Sequence, residues 1–254
     1  MEKIGISEKK LSLHEHLGEL RTRLVYSVIF FLLAFCACYY FAPSIYNFLV
    51  EPLATIYKNS PDRKLIYTGL TEAFITYLKV AFYTALFVSF PFIASQIYIF
   101  LAPGLYKSEK KVILPFLIAT PVLFLAGGSL VYYLIFPKAW QFFVSFESLG
   151  TGGNLPIQLE AKVSEYLSLV ISLIIAFGMA FQIPVVLTLL AKVGIISSSY
   201  LVKNRRYAIV IIFTIAAFIT PPDVLSQISL AIPMMLLYEC SIFSCKWVEK
   251  KENA

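Results

Sequence analysis

Residues 24–42 read LVYSVIFFLLAFCACYYFA, a run of 19 residues without a charged side chain. A helix needs about 20 mostly apolar residues to cross the hydrocarbon core of a bilayer. The run is long enough for this, and it lacks the small-residue cleavage site of a signal peptide, so we expect a retained membrane helix. Five further apolar runs follow it along the chain: 73–101, 112–136, 166–190, 207–219 and 228–238.

The composition of the whole chain agrees with a membrane protein. Of its 254 residues, 59 % are hydrophobic and 14 % are charged, against about 25 % charged residues in an average soluble domain. We therefore predict an all-α polytopic protein in which 1–254 form a single transmembrane domain of six helices. The runs 207–219 and 228–238 are shorter than a full span, which predicts that the last two helices are short.

The loops between the runs predict the orientation. Fifteen of the 21 Lys and Arg residues lie at one end of the predicted bundle, five lie in the opposite loops, and Lys79 falls within the second run. Because cytoplasmic loops carry an excess of Lys and Arg, both termini are predicted to be cytoplasmic. The cytoplasmic parts would be a segment at 1–22, two loops and a C-terminal tail at 240–254.

Several function classes are excluded by what the sequence lacks. The net charge of +6 comes from short loops and not from a basic helix face, so no nucleic-acid partner is expected. None of the common phosphate-binding, serine-hydrolase or zinc-protease motifs occurs, and the two histidines are a poor metal pair. We expect no enzymatic activity, no cofactor and no metal. The four cysteines are predicted to be free thiols.

The stretch HLGELRTRL at 16–24 is informative at the cytoplasmic end. Its leucines fall on one stripe of a helix, and Glu19 and Arg23 are four residues apart, so these two side chains are expected to pair. One interpretation is an amphipathic lead-in to the first span. The other is a binding surface for a partner at the membrane interface.

The loop FLAPGLYKSEKK at 100–111 joins the second and third spans. Pro103-Gly104 is expected to stop one helix, and Ser108 to cap the next with Glu109 in its first turn. Glu109 is therefore either a residue that compensates the helix dipole or an exposed anionic contact beside Phe100 and Leu105.

Two further stretches follow along the chain, AFGMAFQIPVV at 176–186 and TPPDVLSQISLAIPM at 220–234. The four stretches occur in this order around the six spans. Together the four stretches resemble the TatC family, the signal-receptor subunits of the twin-arginine protein translocase. The resemblance covers about 12–240. It implies a concave, glove-like bundle that binds twin-arginine signal peptides and helps to export folded proteins with the proton-motive force. It also implies a bacterial cytoplasmic (inner) membrane, with an archaeal plasma membrane or a thylakoid membrane as alternatives.

The resemblance also implies roles for individual residues. Small single-span partners of the TatA and TatB types would bind near spans five and six, copies of the chain would associate in the receptor complex, and lipid would surround it. Glu19, Arg21, Phe100, Leu105 and Glu109 would form the signal-peptide surface. Pro52 and Asp223 would be the functional residues of the outer loops.

The fourth span departs from the family pattern. Gln182 stands where the family often has a glutamate, and Glu165 lies 17 residues earlier, roughly 25 Å along an ideal helix. We predict that both polar side chains face the hollow side of the bundle, because polar groups within spans are commonly functional. For Glu165, an ordinary place at the membrane interface remains an equal alternative.

Two other functions compete with the receptor interpretation. A secondary transporter of a small solute would need midplane charges and broken helices in paired halves, and the sequence has few of either. An intramembrane enzyme would need acid pairs, a serine motif or metal ligands, which the sequence lacks.

Overall fold

The computed structural model describes residues 13–59, 63–101, 110–148, 155, 157–220 and 224–252. This part of the chain is helical apart from short connections and two isolated β-bridges. The α-helices are α1 (Leu13–Tyr40), α2 (Ala42–Ile56), α3 (Glu72–Leu101), α4 (Lys110–Leu130), α5 (Phe136–Val144), α6 (Val163–Ala180), α7 (Ile183–Lys192), α8 (Ser198–Lys203), α9 (Arg205–Ile219) and α10 (Val224–Glu252).

Five helical segments are long and apolar enough to cross a membrane, judged by length and composition within the described residues. They include α1, α3 and α10. The other two are composite. A π-helical turn, Val131–Ile135, joins α4 to α5, and a break at Phe181 and Gln182 separates α6 from α7. The sixth predicted span is α9, which has 15 residues, about 22 Å of helix, so it is shorter than the hydrocarbon core.

The prediction of two short final helices is correct for α9 and wrong for α10. The last helix has 29 residues and continues through most of the region predicted to be a tail. The predicted run stops at Glu239, but apolar residues such as Ile242 and Phe243 follow it and no proline or glycine does, so nothing stops the helix. The polar side chains are also satisfied there: Glu239 pairs with Arg205 at 2.6 Å, and Glu249 accepts a hydrogen bond from the Ser198 backbone at 2.6 Å.

Contacts along the bundle define two ends. The basic end contains the starts of α1, α4 and α9, the ends of α3, α7 and α10, and α8. The opposite end, called the α2–α5 end below, contains those two helices and the described parts of two connections, 57–59 with 63–71 and 145–148 with 157–162. The main core lies toward the α2–α5 end, where Leu53, Trp140, Phe136 and Tyr166 are buried together.

Small residues bring α4 and α6 into close contact. A Cβ atom added at Gly127 would lie 2.6 Å from the Phe177 carbonyl oxygen, and one at Gly178 would lie 2.7 Å from the Phe124 ring. Small residues at such crossings allow helix backbones in membranes to pack tightly. The four cysteines are free thiols, as predicted.

Candidate functional site

Glu19 and Arg23 pair on α1, as the sequence predicted. Both the Arg23 Nε and its Nη2 donate to the same carboxylate oxygen, Glu19 Oε1, and Nε does so at 3.1 Å. The Arg23 Nη1 donates to Gln96 on α3 at 3.3 Å. Through Arg23 this network links Glu19 to Gln96, which lies one helical turn before the half-buried Phe100 on α3. The side chain of Glu19 is 28 % exposed.

The remaining predicted signal-peptide residues divide into two groups. Arg21 is exposed, and it makes no ion pair or hydrogen bond within the described part of the chain. Leu105 and Glu109 lie outside the described residues. The structure therefore brings together Glu19 and the end of α3, while the placement of Leu105 and Glu109 beside them stays a prediction.

No helix of the described residues covers the leucine stripe of the N-terminal stretch. Leu17 is 60 % exposed and Leu24 is 62 % exposed. In the window of α1 suited to a membrane span, only 6 % of the residues are buried, against 44 % in the window formed by α6 and α7. Since α1 packs mainly on α3, the rest of its apolar surface is left for lipid or for another protein.

Pro52 is buried inside α2, and it explains why two tyrosine hydroxyls donate to backbone carbonyls of that helix. A proline within a helix cannot donate to the carbonyl four residues earlier, here that of Phe48. The Tyr132 hydroxyl donates to this oxygen at 2.7 Å. The next carbonyl, on Leu49, accepts from the buried Tyr166 hydroxyl at 3.0 Å.

These two tyrosines were missed by the sequence analysis. Apolar runs contain many tyrosines, and only the proline in α2 signals that nearby carbonyls will need donors from other helices.

Two hydrogen bonds also link the connections at the α2–α5 end. Arg63 makes a bidentate pair with Glu147, at 2.8 and 2.7 Å, and burial together with Glu147 raises the pKa of the Tyr57 phenol above its usual range.

Gln182 lies at the break between α6 and α7. Its backbone N–H donates to Met179 instead of continuing the α-helical pattern, and its side-chain amide donates to the free Gly178 carbonyl at 3.4 Å. The same amide donates to the Thr120 carbonyl of α4 at 3.1 Å. Its Oε1 atom is buried and has no hydrogen-bond partner in the described structure. A carboxylate at this position has no proton to donate, whereas the amide satisfies two carbonyls.

Glu165 occupies a different environment. It lies in the first turn of α6, where a negative charge suits the helix dipole. Its side chain is 73 % exposed and pairs with Lys162 at 3.5 Å. The structure does not bring Glu165 and Gln182 together, because they lie at opposite ends of α6. Asp223 lies outside the described residues.

A second exposed region lies along α9. A groove of about 510 Å³ is lined by Phe213, Thr214, Phe218 and Gln227, among others. Gln227 closes one side by donating to the Phe213 carbonyl at 3.2 Å. Phe218 is 88 % exposed, so this face of α9 is apolar and has no partner in the described structure.

Comparisons with known proteins agree on one family. Residues 15–233 match the family described as "Sec-independent protein translocase protein (TatC)". The chain is 50 % identical to the protein of that name from Rickettsia prowazekii (strain Madrid E), over 95 % of both chains. It is 49 % identical to the one from Magnetococcus marinus, over 96 % of this chain and 87 % of the relative.

A solved structure supports the same similarity at the level of the fold. The chain is similar to the protein in "Crystal Structure of Twin Arginine Translocase Receptor- TatC", with a TM-score of 0.77 and 37 % sequence identity. The match covers 92 % of this chain and 100 % of that chain.

Proposed function

The chain belongs to the TatC family of Sec-independent protein translocase proteins, and we propose from this that its basic end is a receptor for twin-arginine signal peptides. It is a multi-pass protein of the bacterial inner membrane, a component of a protein translocase that works with other Tat subunits, and not an enzyme. The alternative of a small-solute transporter finds no support among these relatives.

The observation that carries the proposal is the geometry of the Glu19 carboxylate. Arg23 uses only its Oε1 atom, so Oε2 has no hydrogen-bond partner in the described part of the chain. Arg is charged at every working pH, and carboxylate oxygens are the acceptors that a guanidinium group prefers. An arginine of a signal peptide would pair with Oε2 while Arg23 and Gln96 hold the carboxylate in place.

The rest of the surface supplies a second acid and an apolar wall. In our proposal, the Glu109 carboxylate accepts hydrogen bonds from the other arginine. Phe100 and Leu105 contact the apolar residues that follow the arginine pair. Arg21 is exposed two residues after Glu19 on α1 and would contact acidic or carbonyl groups of the bound peptide. This division gives each guanidinium its own carboxylate.

The test is signal-peptide binding by the purified, detergent-solubilised chain. We expect Glu19→Gln and Glu109→Gln each to weaken binding of a twin-arginine peptide about tenfold, because a charge-assisted hydrogen bond contributes about 1.5–3 kcal/mol. The preference over the same peptide with a Lys-Lys pair should also fall. Normal binding by both variants would exclude this surface.

Glu165→Gln is the matched control. It neutralises an exposed glutamate at the other end of the molecule and should leave peptide binding unchanged. A loss of binding as large as that of Glu19→Gln would mean that net charge, and not the basic-end geometry, determines affinity.

For the partners, we propose that TatA- and TatB-type single-span helices pack on the exposed face of α9. That helix is too short to match the bilayer, and its groove is apolar with one polar edge. A photo-crosslinker at Ile211, which is exposed, should capture a single-span subunit in cells. A crosslinker at Met234, which is buried, should capture much less. Capture only from α1 or α4 would contradict this placement.

We also propose that the basic end faces the cytoplasm. Cysteines introduced near Ser60 and Gly152 should react with an external thiol reagent, and those near Ser108 and Lys203 should not. External labelling at Ser108 would reverse the orientation.

We propose roles for four further predicted residues, and these roles depend on the orientation proposed above. Glu165 and Gln182 would contribute polar groups along the concave path taken by cargo. Pro52 would hold the outer surface in shape, and Asp223 would act in the last outer turn. Replacement of Glu165 and Gln182 together by leucine should allow insertion and signal-peptide binding but impair export.

A further inference from the structure

Lys79 lies on α3, seven residues or about 10 Å inside the start of that helix at the α2–α5 end. It is exposed, and it makes no ion pair or hydrogen bond within the described residues. A cation this far along a membrane helix is costly, and its ammonium group is expected to reach toward the polar interface.

The side chains around Lys79 form a small polar cavity of about 70 Å³ between α3 and α6. Thr76, Ser168 and Ser172 line it, and none of these three hydroxyls makes a hydrogen bond within the described structure. Three free hydroxyls and one free ammonium group therefore meet at one place. Such a set of donors suits an anionic oxygen group.

No acid competes for this lysine among the side chains that line the cavity. Glu72, on the same helix, accepts hydrogen bonds from Ser164 at 2.7 Å and from the Thr68 backbone at 2.8 Å. Glu165 pairs with Lys162. Neither carboxylate forms an ion pair with Lys79, so within the described part of the chain its ammonium group has no ion-pair partner.

An apolar cavity of about 240 Å³ adjoins the polar one, and the two share Tyr83 and Ile171. It lies between α2, α3, α4 and α6, and its walls are almost entirely apolar, with Phe48, Phe87 and Ile175 among them. The combined site has a cationic, hydroxyl-rich part near the interface and an apolar part beside it. This is the polarity of a phospholipid.

We propose that the two cavities form a binding site for an anionic phospholipid, with its phosphate on Lys79 and one acyl chain between α2, α3, α4 and α6. Negative headgroups are attracted to basic groups near the membrane surface, and the four donors would hold the phosphate oxygens. The acyl chain would fill the space that the helices leave open. This site is independent of the proposed signal-peptide surface at the other end.

The test is native mass spectrometry of the full chain in detergent, titrated with phosphatidylglycerol or phosphatidylcholine. We expect the chain to retain phosphatidylglycerol preferentially. Lys79→Gln should reduce this preference about tenfold, as expected for loss of a charge-assisted bond. Lys79→Arg should keep it, which also shows that a change at this position leaves the chain folded. Lys58→Gln, at another exposed lysine of the same end, is the matched control and should have no effect.

A second variant tests the apolar part. Ser129 lines the apolar cavity, and Ser129→Phe should reduce retention of both lipids without changing their ratio. Glycerol phosphate should bind far more weakly than the intact lipid. Equal retention of the two lipids by the unmodified chain, an equal effect of Lys58→Gln and Lys79→Gln, or tight binding of glycerol phosphate alone would each overturn the proposal. So would a crosslinker at Ser129 that captures a protein helix and no lipid.

Discussion

At the α2–α5 end, side chains from several helices pack into a shared core, whereas at the basic end the described residues leave most of the first helix uncovered. Trp140, Tyr166 and Phe136 are buried together at the former end. At the latter, the described small core contains Ala191, Leu201, Ile242 and Cys245. Densely packed regions open last, and sparsely packed regions supply binding surfaces. The difference fits our proposal of a rigid frame at the α2–α5 end and a recognition surface at the basic end.

The largest loss of stability is expected where α4 crosses α6. Gly127→Ala would place a methyl group against the Phe177 backbone carbonyl, which cannot move aside as a side chain can. We expect a loss of about 2–3 kcal/mol in the free energy of unfolding, as for overpacked cores. Unfolding in SDS, followed by circular dichroism, measures it.

Gly18→Ala makes the same change at the basic end, where no described atom lies within 4 Å of the added Cβ. It should be neutral or stabilising by up to about 1 kcal/mol, since alanine favours helix. Similar losses from both variants would remove the distinction between the two ends.

The next effect concerns the tyrosine that caps a carbonyl near Pro52. Tyr166→Phe keeps the ring and leaves the Leu49 carbonyl with one acceptor site unfilled in a buried place. The expected cost is about 1–3 kcal/mol. Tyr133→Phe is the control, because that side chain is exposed and makes no hydrogen bond in the described structure. A cost below about 0.5 kcal/mol for Tyr166→Phe would mean that water satisfies the carbonyl.

Some of the helices could be predicted from the sequence and some helix ends could not. Apolar runs predicted the segments that became α1, α3 and α6–α7, because burial in lipid acts on every residue of a span. The same signal misplaced the end of α10, because the prediction stopped at the charged Glu239 although Ile242, Phe243 and Trp247 continue the apolar run beyond it. A single charge inside an apolar run therefore does not mark where a membrane helix stops.

Contacts within one helix could be predicted from the sequence, whereas contacts between helices could not. Glu19 and Arg23 are close in sequence, so their pair was predictable from helix geometry. The bonds from Tyr132 and Tyr166 to the α2 carbonyls join residues 84 and 117 positions apart, and no local pattern encodes such distances. The cavity beside Lys79 likewise depends on how α3 and α6 cross.

A third comparison uses one ion pair from each end. Arg63 and Glu147 form a bidentate pair with side chains 20 % and 16 % exposed, while Arg205 and Glu239 are 46 % and 50 % exposed. Arg63→Gln should lower the free energy of unfolding by about 1–2 kcal/mol, because bidentate, half-buried pairs are strong. Glu147 also accepts a hydrogen bond from the Leu159 backbone. Arg205→Gln should cost less than about 1 kcal/mol, as exposed pairs do. Unfolding midpoints at low and high salt would separate them, and an equal cost would contradict the ranking.

The smallest change in stability is expected at Arg21, and it gives the sharpest test of the basic end as a recognition surface. Arg21 is exposed and has no polar partner in the described structure, so Arg21→Ala should alter the free energy of unfolding by no more than about 0.5 kcal/mol. If the residue contacts a bound signal peptide, the same substitution should still weaken peptide binding several-fold. Arg23→Ala should behave differently, because it releases Glu19 and Gln96 and therefore lowers both stability and affinity. Parallel unfolding and peptide-binding titrations would distinguish them, and an unchanged affinity in Arg21→Ala would remove that residue from the surface.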